Sequence, residues 1–235
     1  MGYEESERIS STAVSPQPRV VLQPIAAPSI LGLYGFAGAT FMVAAHMAHW
    51  FGTADSTILL VPFAALFGGL AQFLAGMWAY KARDGVATAM HGMWGAFWMA
   101  YGVLLWMSAT GRITAPAGPL FPAMGYWFIV LAAITWVGSG AAAAENKALV
   151  TVLAFLAGGS TIAAIGYLVG AEHLLVLAGY LFIISALVAW YAASALMLFE
   201  SYGREVWPVG KTAHARQMPS VTPGIGEPGV IRGQA

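Results

Sequence analysis

A chain of 235 residues that is 59% hydrophobic and only 9% charged is too apolar for a soluble globular domain, where about a quarter of the residues carry charge. Ten basic residues balance ten acidic ones, and no basic run lies along a helix or loop, so the electrostatic footprint of a nucleic-acid binder is missing. With no cysteine at all, disulfides, thiolate nucleophiles and cysteine-ligated metals are excluded together.

The N-terminal segment carries Glu4, Glu5 and Glu7 and has no basic stretch leading into a short apolar core, so it does not read as a cleavable signal peptide. Residues 1–27 are rich in Ser and Pro and are expected to form a disordered cytoplasmic tail. The first apolar stretch, Ser29 to Phe51, then serves as its own uncleaved insertion signal. Five more follow: Leu59 to Tyr80, Val86 to Ala109, Pro122 to Ala144, Ala148 to Val169 and Leu174 to Phe199. Each is close to the ~20 residues that a helix needs to cross a bilayer core. The expected fold class is therefore an all-α integral membrane protein with six transmembrane helices, a membrane domain over 28–203, and a mostly disordered cytoplasmic tail over 204–235.

In lipid, small residues decide which helix faces meet, because burial from water no longer drives helices together. The first stretch has Gly32, Gly35 and Gly38 with Phe36 among them, and the third has Gly92 and Gly95 around Trp94. Two readings fit: a tight helix crossing, or a narrow constriction with bulky gates. In the second stretch Gly68, Gln72 and Gly76 share one helical stripe, so the Gln72 amide belongs against a partner helix or a watered path. His46 and His49 lie near the end of the first stretch without a third ligand at metal-binding spacing, so no metal centre is expected. His91, inside the third stretch, is an intramembrane ionisable group and so a functional candidate.

Basic residues are retained on the cytoplasmic side of short loops. Arg8, Arg19, Lys81, Arg83, Lys147, Arg204, Lys211, Arg216 and Arg232 fall on one side, and only Arg112 on the other. Both termini are thus expected in the cytoplasm, with Trp50, Trp106, Tyr126 and Trp127 as anchors at the outer interface. No phosphate loop, no His-Glu-x-x-His helix and no acidic residue well inside a span supports catalysis, so no enzyme activity and no cofactor are expected. The residues alone lead as far as a channel or carrier for a small solute.

The segment Gly68-Gly69-Leu70-Ala71-Gln72-Phe73-Leu74-Ala75-Gly76, followed by Tyr80-Lys81 and Gly95-Ala96-Phe97-Trp98, resembles the acetate uptake transporter family, the succinate-acetate permease group. Ala27-Pro28-Ser29-Ile30-Leu31-Gly32-Leu33 is similar to that family's opening motif, and Tyr202-Gly203-Arg204 with Pro208 and Gly210 to its closing segment. The resemblance covers about residues 27 to 210. It implies six helices per protomer, a homo-hexameric ring in the cell membrane, and a monocarboxylate path in each protomer. It also implies a hydrophobic constriction at Phe36, Trp94 and Leu156, and a substrate path past Gln72, His46, Thr40 and Tyr191. The solute that the resemblance implies is acetate or a similar monocarboxylate, with succinate as an alternative, entering with a proton or as the undissociated acid. The chain departs from the family pattern in having Trp94 where a Tyr is usual, and Ala27, Ile30, Met47, Ala79 and Leu196 at positions that are usually Asn, Pro, Asn and two carboxylates. Two other functions stay open: a channel for a small neutral solute such as ammonia, and a non-transporting structural subunit.

Overall fold

The computed structural model describes residues 25–53, 56–113, 122–213, 215, 222–223 and 231–232. Long helices account for nearly all of it: α1 (Pro28–Met47), α2 (Ser56–Pro62) continuing through a π-helical segment (Phe63–Ala71) into α3 (Gln72–Ala82), α4 (Gly85–Ala109), α5 (Pro122–Ala142), α6 (Lys147–Val169) and α7 (Glu172–Tyr202). A two-residue antiparallel strand pair, Thr222–Pro223 with Ile231–Arg232, is the one extended element among the described residues. Five of the spans are long and apolar enough to cross a membrane. The remaining one, α4, has the length at 25 residues, but its polarity is raised by His91, Tyr101 and three tryptophans. The chain is an all-α integral membrane protein.

Local chemistry sets the helix limits. Pro28 starts α1 where no N–H is needed. The Asp84 and Asn146 side chains accept from Ala87 N at 2.8 Å and Leu149 N at 2.9 Å, capping α4 and α6. Gly170 and Gly203 end α6 and α7 in the left-handed region, at φ +73° and +64°. The second stretch is not the plain α-helix that its composition suggests. Pro62 cannot donate and its ring crowds the preceding turn, and beyond it the helix widens into nine π-helical residues before returning to α geometry at Gln72. The first helix also stops earlier than its apolar stretch: α1 ends at Met47, and His49 turns the chain at φ +59°.

The helices close a ring. α1 lies against α7, α7 against α6, α6 against α5, and the π segment with α3 packs between α1 and α4, while α4 and α5 meet at the loosest joint. Glycine sets the closest approaches. A Cβ on Gly76 would lie 2.6 Å from Gly92 N, and one on Gly95 would lie 2.5 Å from Phe73 N, so α3 and α4 touch backbone to backbone. Of the two readings of Gly92 and Gly95, the crossing is the one observed. Large apolar residues cover the outer faces, with Leu59, Leu66, Trp78, Val130, Val137 and Val169 all exposed, as a lipid-facing surface requires.

The segment after α7 is not all free tail. Trp207 stacks on Tyr191 with ring centroids 5.3 Å apart, and Ala148 N and Lys147 N donate to Val209 O and Gly210 O at 3.1 and 3.0 Å. This strap satisfies N–H groups at the start of α6 that the helix itself leaves unpaired. The expected disorder of residues 1–24 and most of 214–235 falls outside the described residues.

Candidate functional site

Two cavities lie end to end inside the ring. The first is walled by Leu33, Phe36, Gln72, His91, Trp94 and Leu156, with Asp84 and Glu145 at the end where the Lys81, Arg83 and Lys147 loops lie. The second is lined by Thr40, Val43, Trp98, Phe128 and Phe182, and again by Trp94 and Leu156. Trp94 and Leu156 therefore belong to both cavities and form the partition between them, with Phe36 on the side of the first. All three are nearly inaccessible, at 3%, 2% and 3% exposure for Trp94, Leu156 and Phe36.

The partition is held by hydrogen bonds that face away from the cavities. Trp94 Nε1 donates to Thr135 Oγ1 at 3.0 Å, and Thr135 Oγ1 donates to Leu131 O at 2.6 Å, so the single polar atom of the indole is spent on α5. What remains toward the cavities is ring carbon and the Leu156 methyls. This wall offers no polar partner to either cavity, the chemistry that a hydrophobic gate requires. Phe97 packs edge-on against Trp94, with centroids 5.2 Å apart, and fixes the other side of the ring. Thr135→Val is expected to strand the buried indole N–H and lower stability by about 1–3 kcal/mol. Thermal unfolding in detergent checks this, and Thr135→Ser, which keeps the hydroxyl, is expected to lose less.

The polar residues expected along the path divide into two groups. Gln72 reaches the first cavity and is 1% exposed, with its Nε2 donating to Gly68 O at 3.0 Å where the π segment gives way to α3. Thr40 reaches the second. His46 and Tyr191 are absent from both walls. His46 lies in the last turn of α1, with Nδ1 3.2 Å from Phe51 O, and the Tyr191 hydroxyl donates to Pro208 O at 2.9 Å while its ring stacks on Trp207. Tyr191 thus anchors the strap. Among the described residues no three His, Asp or Glu side chains gather as a metal site would need.

His91 was legible as an ionisable group within a span, and its ring takes the space that Gly32 leaves open: an added Cβ there would fall 2.5 Å from the imidazole. The aromatic wall of the second cavity was not legible. Phe97, Tyr101, Phe128, Tyr167 and Phe182 come from four helices and meet through rings 5.6 to 6.2 Å apart, a pattern with no sequence period.

At the mouth of the first cavity, burial is the largest influence on the Asp84 carboxyl and raises its pKa above the ordinary 3.8, against the lowering effect of the Ala87 and Val86 N–H groups. The sign follows from proton linkage. Over the window from 3.8 up to the raised value the folded state holds more protons than the unfolded one, so stability falls as the pH rises through that window. Asp84→Asn keeps a side chain able to cap α4 and removes the titration. The variant is expected to show a flatter dependence of melting temperature on pH above 3.8 than the parent chain.

Residues 11–206 match the family model described as the GPR1/FUN34/yaaH family. The chain belongs to this family. Among its relatives, the Escherichia coli K12 protein named succinate-acetate/proton symporter SatP is 29% identical over 192 residues, covering 80% of this chain and 97% of the relative. The Saccharomyces cerevisiae protein named ammonia transport outward protein 2 is 26% identical over 171 residues, covering 72% of this chain and 60% of that one. A solved structure, described as the bacterial acetate channel SatP, superposes with a TM-score of 0.72 at 26% identity, covering 80% of this chain and 100% of the other.

Proposed function

We propose that this chain transports acetate or a similar small monocarboxylate across the cell membrane, through the two cavities and the Phe36–Trp94–Leu156 constriction. The observation that carries the reading is the partition itself: two internal spaces that share Trp94 and Leu156 as their common wall. The names of the Escherichia coli relative and of the superposed structure support acetate as the solute. Both termini are assigned to the cytoplasm from the distribution of basic residues, and the protomers assemble as a homo-hexamer by resemblance to the family. The chain acts as a transporter and not as an enzyme. Protons enter with the solute, as a coupled species or as part of the undissociated acid.

A second reading, a channel for ammonia or another small neutral solute, draws on the name of the yeast relative and on the absence of charged side chains from the second cavity. Proteoliposomes separate the two. Entry of labelled acetate that exceeds empty vesicles, and that is accelerated by an inward proton gradient, is the expected result. Methylammonium entry without acetate entry would replace the carboxylate reading with the neutral-solute one, and no entry of either would favour a structural role.

Topology has its own test, because a cysteine-free chain can be labelled at single introduced sites. Cysteines at Ser11 and Thr222 are expected to be protected from impermeant thiol reagents in intact cells, while one at Thr114 reacts. The reverse pattern would invert the assigned orientation.

A further inference from the structure

The strap that follows α7 is fastened to the loop that ends the first cavity. Gly203 turns the chain off α7 at φ +64°, and Gly210, at φ +71°, lets the strap run against the Lys147 side chain, which a Cβ there would meet at 3.1 Å. Between these turns Trp207 stacks on Tyr191, and the half-buried Val209 packs on the core. Beyond Pro208 the strap bonds to the α5–α6 loop and the first turn of α6. Val209 O and Gly210 O accept from Ala148 N and Lys147 N, while Thr212 donates through its N to Glu145 O at 3.0 Å and through Oγ1 to Ala144 O at 2.8 Å. Glu145 belongs to this loop and lines the end of the first cavity together with Asp84.

The α5–α6 hairpin that the strap holds is tied unevenly. α6 packs closely on α7, whereas α5 meets α4 at the loosest joint of the ring. Beside the first cavity that joint is filled by Met90 of the cavity wall, which lies over Gly138: a Cβ there would fall 2.5 Å from the Met90 sulfur. A flexible thioether can withdraw where backbone cannot. The hairpin is therefore free to turn away from α4 about its contact with α7 once the strap lets go.

We propose that residues 204–212 form a latch on the Asp84 end of the first cavity. Engaged, it holds the α5–α6 loop and Glu145 at the mouth; released, it lets the hairpin part from α4 and opens that mouth. The fastenings suit reversible release. They are a ring stack and a short run of hydrogen bonds beside the exposed Lys211 and Ala213, where water replaces each bond as it breaks and little net free energy is lost. An open state opposed by contacts of this size is populated on the order of 0.1–10% of the time. The latch rests on the transport reading for its purpose, the exchange of solute between the first cavity and the Asp84 side, but its opening is a property of the fold.

The latch can be locked. Asn146 and Lys211 face each other across an antiparallel bridge, and the flanking bonds, Lys147 N to Gly210 O and Thr212 N to Glu145 O, make them a non-hydrogen-bonded pair. Such pairs stand about 4.5 Å apart at Cα, within the span of a disulfide. The full chain, which has no cysteine of its own, is given Asn146→Cys with Lys211→Cys, reconstituted in liposomes, and assayed oxidised and then reduced. Labelled acetate entry is expected to be several-fold slower in the oxidised protein and to recover on reduction; the reduced form already carries the loss of the Asn146 cap, so the comparison isolates the lock. Opening is also read without transport, in detergent, from the rate of thiol modification at Val152→Cys in the first cavity and Val43→Cys in the second. Adding Trp207→Ala should raise the rate at Val152→Cys up to about tenfold, the effect of losing one ring stack, and leave Val43→Cys unchanged. An unchanged rate at Val152→Cys overturns the latch, and so does an equal rise at both positions, which reports a loosened bundle. Equal, measurable acetate entry by oxidised and reduced protein, with the disulfide complete by mass, overturns the latch and leaves the transport reading standing. A rise at Val152→Cys alone, in a protein that passes no acetate, upholds the latch and overturns the acetate reading.

Discussion

Replacing Trp94 or Leu156 by alanine is expected to raise acetate entry and to admit larger carboxylates that the parent chain excludes. Both residues wall both cavities, so either truncation opens a passage between spaces that now meet only at hydrocarbon. A wider, wetter constriction no longer strips the solute of all its water. Lowering the barrier by about 1.4 kcal/mol would already raise the rate tenfold. The same truncations remove buried side chains at the centre of the ring, and a stability loss of roughly 2–5 kcal/mol is expected alongside the gain in flux. The two effects are separated by measuring melting temperature and the entry of acetate, propionate and succinate on one preparation. Gln72→Ala is expected to lower acetate entry, since it takes the one buried amide from the first cavity. Loss of stability without any gain in permeation would make Trp94 and Leu156 packing residues and nothing more.

A β-branched side chain at Gly95 is expected to be worse tolerated than either truncation. The added Cβ would lie 2.5 Å from Phe73 N and 2.9 Å from Phe73 Cα, and backbone cannot move aside as a side-chain tip can. Relief requires α3 and α4 to separate, which also breaks the Gly76–Gly92 approach one turn away. Overpacking of this kind commonly costs about 1–3 kcal/mol and more where backbone is displaced. Gly95→Val should therefore give little folded protein. Gly92→Ala supplies the contrast, because a Cβ there meets nothing within 4 Å and alanine is the better helix former by roughly 0.5–1 kcal/mol. The yield of monodisperse protein after detergent extraction reads both.

The spans were legible because burial in lipid demands long uninterrupted apolar runs, and the observed helices begin and end within a few residues of those runs. The exceptions have local causes that composition averages away. The π segment follows from where Pro62 falls, and the early end of α1 from a turn at His49, whose Nε2 lies 3.4 Å from Glu172 Oε1 at the start of α7. Glycine spacing indicated close contact but left open what was in contact. Gly32 makes room for a side chain, His91, whereas Gly95 makes room for backbone, and both look alike in sequence. The partition residues came from resemblance and not from periodicity, since Phe36, Trp94 and Leu156 lie on three helices with nothing local to join them. Tyr191 shows the converse: a polar aromatic inside a span is a fair path candidate until the strap that follows α7 is seen to claim its hydroxyl and its ring.

Passage of solute through both cavities of one protomer is tested by blocking them one at a time. Val152 lines the first cavity and Val43 the second, and the chain contributes no cysteine of its own. Val152→Cys and Val43→Cys are each reconstituted in liposomes, modified with a bulky thiol reagent, and assayed for labelled acetate entry, with the extent of modification read by mass. Complete modification at either position is expected to abolish entry, while the same reagent leaves the unsubstituted chain unaffected. Full modification at both positions with acetate entry unchanged would contradict it.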